Sequence, residues 1–539
     1  MRKVELIPAA LAVAGMLACG GPAPSPSGPT LQPAPGSIQP LQKIYTEHLG
    51  QLTNTALNPL EPLGFTGTDL GMSFEREGRI IFLFGDSRAL DPADQDDDSI
   101  AWIDIGPSPG ETRSMPKLTW FQRPNGLFLP VLIPTVNLKA LQVPVEGLPM
   151  GSRTYVFAAS GLDPTHYLVL AHTEGFAFDS LVFDNRQVSD RFLNFSAIAE
   201  PGVIWFIGST PYHRSAIYLA KVAPEQLTDR SAWQYYRGHS NGTPVFGSSE
   251  AEARPIVNVG CVGELSVRQF SSLGYLMIYS CDQPRGVFLR VAHDPVGPWS
   301  APTTIFDPFL AGDQGYGYFL HQQESVAGFD DGLTEPGYQE TAGFEYGSYL
   351  VPQWTVNEAA GVYSIVYTLS SWNPYEVHLM RTIIAEPGVT ASPPPPRGQG
   401  LPPATLTNGD FATGDLQGWQ SSGDPFTLIQ GTDGHWRLTT YVQPQGDGVV
   451  GQLWQDFTLD STTRELRFSV SGGDATVKLM HGDEVVRASR GRRTNSTETP
   501  VRWYLSEFRG ETLRLLIEDD LTEGWGFVTT SGFQFVREP

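Results

Sequence analysis

Arg79-Ile-Ile-Phe-Leu-Phe-Gly-Asp-Ser87 is an apolar, β-branched and aromatic run that stops on small residues. Four later stretches share its form: Arg153-Thr-Tyr-Val-Phe-Ala-Ala-Ser-Gly161, Gly202-Val-Ile-Trp-Phe-Ile-Gly-Ser-Thr210, Gly274-Tyr-Leu-Met-Ile-Tyr-Ser-Cys-Asp282 and Tyr363-Ser-Ile-Val-Tyr-Thr-Leu-Ser-Ser371. Such runs predict buried strands. Each is followed by a second strand-like run, as in those beginning at Ala216, Gly286 and Val377. The five starts lie 74, 49, 72 and 89 residues apart, an irregular but recurrent spacing that suits the blades of a β-propeller with long loops. The expected fold is therefore all-β, a five-bladed β-propeller, with a stack of β-sandwiches as the competing arrangement.

Working outward, no strong linker interrupts residues 45–386, the expected propeller. The first clear break is Ala391-Ser-Pro-Pro-Pro-Pro396, a stiff spacer within a Pro-rich linker at 387–403. Residues 404–539 predict a second domain, a β-sandwich of jelly-roll type. Its opening Asn408-Gly-Asp-Phe411 and Gly414-Asp-Leu-Gln-Gly-Trp419, and its closing Gly524-Trp-Gly526, resemble carbohydrate-binding and galactose-binding-like modules.

At the other end, Arg2 and Lys3 precede an apolar stretch over 7–17 and then Leu17-Ala-Cys-Gly20. This resembles a bacterial lipoprotein signal: residues 1–18 are the expected signal peptide, with Cys19 the lipidated first residue of the mature chain. A Pro/Ser/Gly tether follows over 19–44. The expected location is the bacterial cell envelope, lipid-anchored to a membrane and facing the periplasm or the exterior. In that compartment the remaining cysteines, Cys261 and Cys281, are expected to form a disulfide, two free buried thiols being the alternative.

Composition narrows the partners. The 539 residues carry 35 Lys and Arg against 58 Asp and Glu, a net charge of −23, which excludes the clustered cations that nucleic acid requires. Gly 57, Pro 44 and 11% aromatics fit short strands joined by tight turns, and a neutral glycan remains open as ligand. Zinc clusters, phosphate loops, dinucleotide fingerprints and serine-hydrolase elbows are all missing from the sequence.

Two aspartates stand out. Asp69 lies in Gly67-Thr-Asp-Leu-Gly71, and Asp86 closes the first strand quoted above, so a hairpin places both at one end of a blade. Turn-capping is the bland alternative for each. A third candidate, Glu264, sits between Gly263 and an apolar strand, where desolvation would keep it protonated; a solvent-facing edge position is its alternative. Tyr316, His321, Trp372, Asn373 and Tyr375 offer ring faces and polar groups for sugars, or equally blade-closing core. The acidic run over 91–98 is expected to be a solvated loop; a calcium site at Asp94, Asp96 and Asp98 is the lesser alternative, and no other metal or cofactor is expected.

The segment from Gly67 through Ser87, Gly263-Glu-Leu-Ser-Val267, Arg290 through Pro302, Tyr346-Gly-Ser-Tyr-Leu-Val-Pro-Gln-Trp-Thr355 and Tyr367 through Arg381 together resemble, in the same order, a propeller family that includes bacterial endo-D-arabinanases, glycoside hydrolase family 183. The resemblance spans roughly Thr55 to Ile384. It implies a five-bladed propeller and endo-cleavage of a furanose-containing polysaccharide, with Asp69 and Asp86 at the positions of the family's first-blade aspartates. Two other functions fit the same sequence: a non-catalytic glycan-binding propeller, and a cell-surface adhesion or scaffold protein.

Overall fold

The computed structural model describes residues 38–112, 114–131, 141–160, 169–173, 180–181, 191–335, 337–442, 444 and 446–538. The signal peptide, Cys19 and most of the tether lie outside the described residues.

Each of the five apolar runs is the second strand of its own antiparallel sheet. Sheet I orders the strands Asp69–Arg76, Arg79–Ser87, Asp97–Asp104 and Thr119–Trp120. Sheet II begins Gln142–Met150 and Arg153–Ser160, sheet III Asn194–Glu200 and Val203–Ser209, and sheet IV Leu265–Phe270 and Gly274–Asp282. Sheet V runs Phe344–Leu350, Val362–Trp372, Glu376–Ala385 and finally Gln42–Gln51 from the start of the chain. That last strand begins inside the stretch expected to be tether; its pairing with Glu376–Ala385 joins the two ends of this region in one sheet.

Both faces of these strands are buried, and this is why they are apolar throughout instead of alternating with polar residues. In Arg79–Ser87, Ile80, Phe82 and Phe84 pack into a core shared with sheet V, while Ile81 and Leu83 pack into one shared with sheet II. The same division recurs around the molecule: sheets II and III share a core about Phe157, Phe195 and Phe206, sheets III and IV one about Ile207 and Met277, and sheets IV and V one about Ile278, Ile365 and Tyr367. Each fully buried large side chain contributes about 1.5–3 kcal/mol. The first strands of the five sheets touch in the cyclic order I, II, III, IV, V and back to I, so the sheets form a closed ring around an axis lined by those strands.

Arg268 ties this axis together. Its guanidinium contacts both Glu146 oxygens, at 2.8 and 3.1 Å, and the Ser73 carbonyl at 3.0 Å, linking the inner strands of sheets I, II and IV; Ser196 of sheet III donates to the same Glu146 at 2.7 Å.

After Ala385 the chain has no strand until Gln420. Two five-stranded antiparallel sheets follow. They pack face to face over Leu453, Leu479, Leu515 and Ile517 from one and Leu466, Phe468, Val501 and Trp503 from the other. This sandwich is fastened to the ring by backbone bonds, Asp330 N to Pro500 O and Arg502 N to Asp330 O, both 2.9 Å, and by Glu507, which accepts from Arg487 at 2.5 Å and lies 2.8 Å from His48 Nδ1.

Candidate active site

At one mouth of the ring axis, the first residues of the inner strands bring carboxylates together. Asp69 opens the inner strand of sheet I, where a register shift between Leu70 and Met72 marks a bulge. Leu70 and Gly71 take φ values of 64° and 78°, and Ser370 Oγ caps Leu70 N at 2.6 Å. Bulges re-aim side chains, and this one presents Asp69 to the mouth. Asp86 sits at the matching irregularity of the next strand with φ 25°, a backbone cost of order 1–3 kcal/mol that surrounding contacts must hold. Those contacts are Asp98, whose Oδ1 accepts Asp86 N at 3.1 Å, and Tyr375, whose hydroxyl donates to the Asp86 carbonyl at 3.0 Å. Between the two aspartates, a Cβ on Gly85 would stand 2.6 Å from Asp69 Oδ1 and displace that side chain.

Sheet V supplies the link to Glu264. Tyr346 Oη donates to Asp69 Oδ2 at 2.8 Å, and the next residue, Gly347, donates its N–H to Glu264 Oε2 at 3.0 Å. Two consecutive residues thus hold carboxylates from sheets I and IV. Gly347 has φ 60°, and a Cβ there would meet the Leu70 Cα at 3.2 Å, so a side chain is excluded twice over. Glu264 also accepts from Tyr212 Oη at 2.7 Å and Ser280 Oγ at 2.8 Å. Three donors thus converge on one carboxyl. Glu264 is buried, so the alternative of a solvent-facing edge position does not hold.

Burial pushes the carboxyls of Asp69, Asp86 and Asp98 alike toward their protonated forms. Burial pushes the Asp69 carboxyl up to about 6, the Tyr346 and Tyr375 hydroxyls and Arg88 pull down, and the Glu264 charge pushes up. Its Oδ1 is buried without a hydrogen-bond partner. Asp86 is also raised, by burial and then by the Asp69 charge, but both its oxygens accept Leu141 N, at 3.0 and 2.7 Å. Burial holds the Tyr212 and Tyr346 phenols well above their usual range, so both remain donors.

Around this pair, Arg88 lies over Tyr375 and Trp372, with its carbon 4.2 and 4.8 Å from the ring centroids, and is held by Glu335 at 2.5 Å. Trp372 and Tyr375, expected as sugar-binding residues, therefore flank the mouth. The other three expected contacts serve the fold. His321 is fully buried between Asp331, 2.8 Å, and the Gln339 carbonyl, 2.9 Å, and Asn373 spends its amide on Tyr338 O and Glu335 N. Neither side chain has a free polar group or exposed surface to offer a sugar. Tyr316 donates to the Gly343 carbonyl at 2.9 Å.

The acidic run also departs from expectation. Asp97 and Asp98 begin a strand and are buried, because the Asp86 turn needs an acceptor there; Asp94 is gripped by Arg123 at 2.7 and 2.8 Å, and Asp96 accepts from Gln95. Asp98 gives Oδ1 to Asp86 N and keeps Oδ2 buried and unpartnered. Among the described residues, the grouping of metal-type donors is Cys261, Cys281 and Asp282, and its two sulfurs are bonded to each other, with Cα atoms 5.5 Å apart, as expected for the disulfide.

Five residues of the mouth escaped the sequence: Arg88, Tyr212, His213, Tyr346 and Gly347. Tyr212 and His213 follow the third apolar run directly, and His213 stacks on Tyr212 at 4.0 Å with its Nδ1 3.5 Å from Asp282; burial lowers its basicity. Tyr346 and Gly347 stand in a quoted motif, and their position at a strand start beside Gly was the available signal.

Residues 165–381 match a family model described as a domain of unknown function, DUF4185. The match includes Glu264, Tyr212 and Tyr346 and begins after Asp69 and Asp86. No curated protein matches the sequence. Among solved structures, the chain is similar to an exo-β-1,3-galactanase of Phanerochaete chrysosporium (11% identity, 91% of this chain and 100% of that one, TM-score 0.39). It is similar to the catalytic domain of a GH62 α-L-arabinofuranosidase of Coprinopsis cinerea (9%, 64% and 98%, TM-score 0.35) and to a xylan β-1,4-xylosidase of Bacillus halodurans (9%, 89% and 100%, TM-score 0.31). With every TM-score below 0.5, the functional conclusion rests on the site itself.

Proposed function

We propose that the ring is a five-bladed β-propeller carrying a jelly-roll sandwich, and that its carboxylate mouth hydrolyses glycosidic bonds within a furanose-containing, arabinan-type polysaccharide. The observation that carries this reading is the Tyr346–Gly347 pair, which holds Asp69 and Glu264 at one mouth in different hydrogen-bonding states. Hydrolysis of a glycoside needs one carboxyl to protonate the departing oxygen and one carboxylate to activate water or attack the anomeric carbon. Asp69, raised and with a free Oδ1, gives its proton to the leaving oxygen; Glu264 takes the proton of the attacking water or forms the bond itself. Asp86, both of whose oxygens accept Leu141 N, holds the turn beside Asp69 and is a positioning residue. Arg88, Trp372 and Tyr375 form the wall against which the sugar rests. Endo-action and the arabinan class come from the resemblance to endo-D-arabinanases, and the Cys19 motif supports anchorage in a bacterial envelope where such polymers are met.

Incubation with arabinan, arabinogalactan, xylan and galactan, followed by product sizing, tests the reading. Short oligosaccharides released from a furanose polymer, with turnover cut by about 10² or more in Asp69→Asn and Glu264→Gln, support it. Unchanged turnover in either variant excludes that residue as acid or base, and binding of the polymer without cleavage gives the glycan-binding propeller instead.

A further inference from the structure

The turn that carries Trp372 and Tyr375 is held from a distance. It joins the strands Val362–Trp372 and Glu376–Ala385, and Ser371 braces it: its Oγ lies 2.6 Å from the Pro374 carbonyl and 3.1 Å from His378 Nε2. His378 Nδ1 stands 3.1 Å from Nε2 of His48, in the strand Gln42–Gln51, and His48 Nδ1 stands 2.8 Å from a Glu507 oxygen of the C-terminal sandwich. A single file of hydrogen bonds thus runs from the sandwich to the wall of the mouth. Phe319 packs on both imidazoles, with centroids 4.9 and 4.5 Å away, and no side chain of the file is more than 7% exposed.

The protons along this file can be counted. Glu507 binds Arg487 through its other oxygen at 2.5 Å; burial pushes its carboxyl up, but Arg487 and His48 hold it below the ordinary range, so it accepts from His48 Nδ1–H. At the far end the Pro374 carbonyl can only accept, so the Ser371 hydroxyl donates there and its oxygen receives His378 Nε2–H. Burial, then the His48 and Arg487 charges, keep His378 well below the usual imidazole range, so it carries that one proton and its Nδ1 accepts. The carboxyl of Glu376, 4.0 Å from His378 Nε2, is raised to about 8 by burial and then by the Glu335 charge, and adds no anion there. Glu484, on the sandwich side, is likewise raised, by burial and then by the Glu507 charge. His48 therefore donates at both nitrogens and is the imidazolium of the file. Without its second proton the donors are one short, and the Ser371 hydroxyl has to leave Pro374 for His378.

We propose that the sandwich is a working part of the mouth: Glu507 keeps His48 doubly protonated, and through His48, His378 and Ser371 it locks the turn at 373–375 in the position that presents Trp372 and Tyr375 to the sugar. The four are positioning residues, which act through the turn and touch no substrate. The other side of the turn has its own anchors, Tyr375 N on Glu335 at 2.7 Å and Tyr375 Oη on the Asp86 carbonyl at 3.0 Å. Release of Ser371 therefore loosens the turn without unfolding it. The inference deepens the hydrolase reading and rests on it for the part that Trp372 and Tyr375 play.

Two measurements on the full chain decide it without substrate. NMR of the chain carrying isotope-labelled histidine nitrogens, with His48 assigned by its loss in His48→Gln, shows His48 protonated on both nitrogens near neutral pH and His378 on Nε2 alone. Glu507→Gln leaves His48 with one proton and moves the His378 proton to Nδ1. Hydrogen–deuterium exchange across the turn at 372–376 rises about tenfold in Ser371→Ala and severalfold in Glu507→Gln. Exchange around Leu479 and Leu515, and at the backbone contact between Asp330 and Arg502, stays as in the parent, which separates a loosened turn from lost folding or lost docking. Because both residues act through one file, the double variant exchanges no faster at the turn than Ser371→Ala alone. On an arabinan-type polymer the same variants raise KM severalfold while kcat stays within about twofold of the parent. A singly protonated His48 in the parent, an unchanged turn in Glu507→Gln, or losses that multiply in the double variant overturn the proposal. Failure of every polymer to be cleaved removes the hydrolase reading, and the NMR and exchange results still decide whether the sandwich holds the turn.

Discussion

Asp69 and Glu146 both lie on inner strands of the ring, 6% and 1% exposed, yet the molecule treats them in opposite ways. Glu146 receives the Arg268 guanidinium, the Ser196 hydroxyl and the Ala197 and Gly147 N–H groups, so both its oxygens are engaged. Asp69 receives the Tyr346 hydroxyl on one oxygen, has the other unpartnered, faces Glu264, and is held on a bulged strand beside a strained Asp86. Burial alone therefore marks neither. Compensation distinguishes the carboxylate that fastens the ring from the one proposed as the acid, because an uncompensated buried charge persists only where the surrounding structure holds it.

The contrast breaks first at Glu146. Arg268→Ala leaves a buried carboxylate unpaired and should lower stability by about 3–5 kcal/mol in denaturant melts, whereas a loss below about 1 kcal/mol would remove Glu146 from the structural class. Opening the Cys261–Cys281 bond by double substitution to Ser should cost up to about 3 kcal/mol, the bond closing a loop of 20 residues beside Ser280 and Glu264; the same melts measure it.

At the other pole the sign reverses. Because the folded Asp69 carboxyl is raised from 3.8 to about 6, its ionisation works against folding: the native state is favoured fully below the unfolded value and loses that advantage as pH rises through about 6. Asp69→Asn should therefore be more stable than the parent at pH 8, by about 1–3 kcal/mol, and no more stable at pH 3.5. Melting at the two pH values decides this, and destabilisation at pH 8 would contradict it. The smallest effect is expected from Tyr346→Phe. Removing a donor that lowers Asp69 moves the alkaline limb of the rate profile, set near 6 by loss of the acid's proton, upward by about one pH unit or less.

Much of this was legible in the sequence where local pattern and burial coincide. The five second strands announced themselves because neighbouring sheets cover both their faces, and Asp69, Asp86, Glu264 and the two cysteines were visible from glycine-flanked turns and strand ends. The Tyr346–Asp69 contact joins residues 277 apart in sequence, and no local pattern records it. His321 and Asn373 carry polar groups that look available in a motif, and only packing shows that backbone carbonyls and Asp331 consume them. Asp98 resembled a loop residue because acidic neighbours hid its place at a strand start. Gln42, Lys43 and Ile44, which open the strand Gln42–Gln51, resembled tether because their pairing partners lie at the far end of the ring region.

The central claim, that Asp69 and Glu264 act on one bond as a unit, is tested most directly by comparing Asp69→Asn, Glu264→Gln and the double variant on the same arabinan-type polymer. Residues that share one transition state lose their effect together, so the double variant should be about as slow as the slower single variant, each at least about 10²-fold below the parent. Losses that multiply, to about 10⁴-fold or more, or a single variant that turns over like the parent, would contradict a shared acid–base pair at the ring mouth.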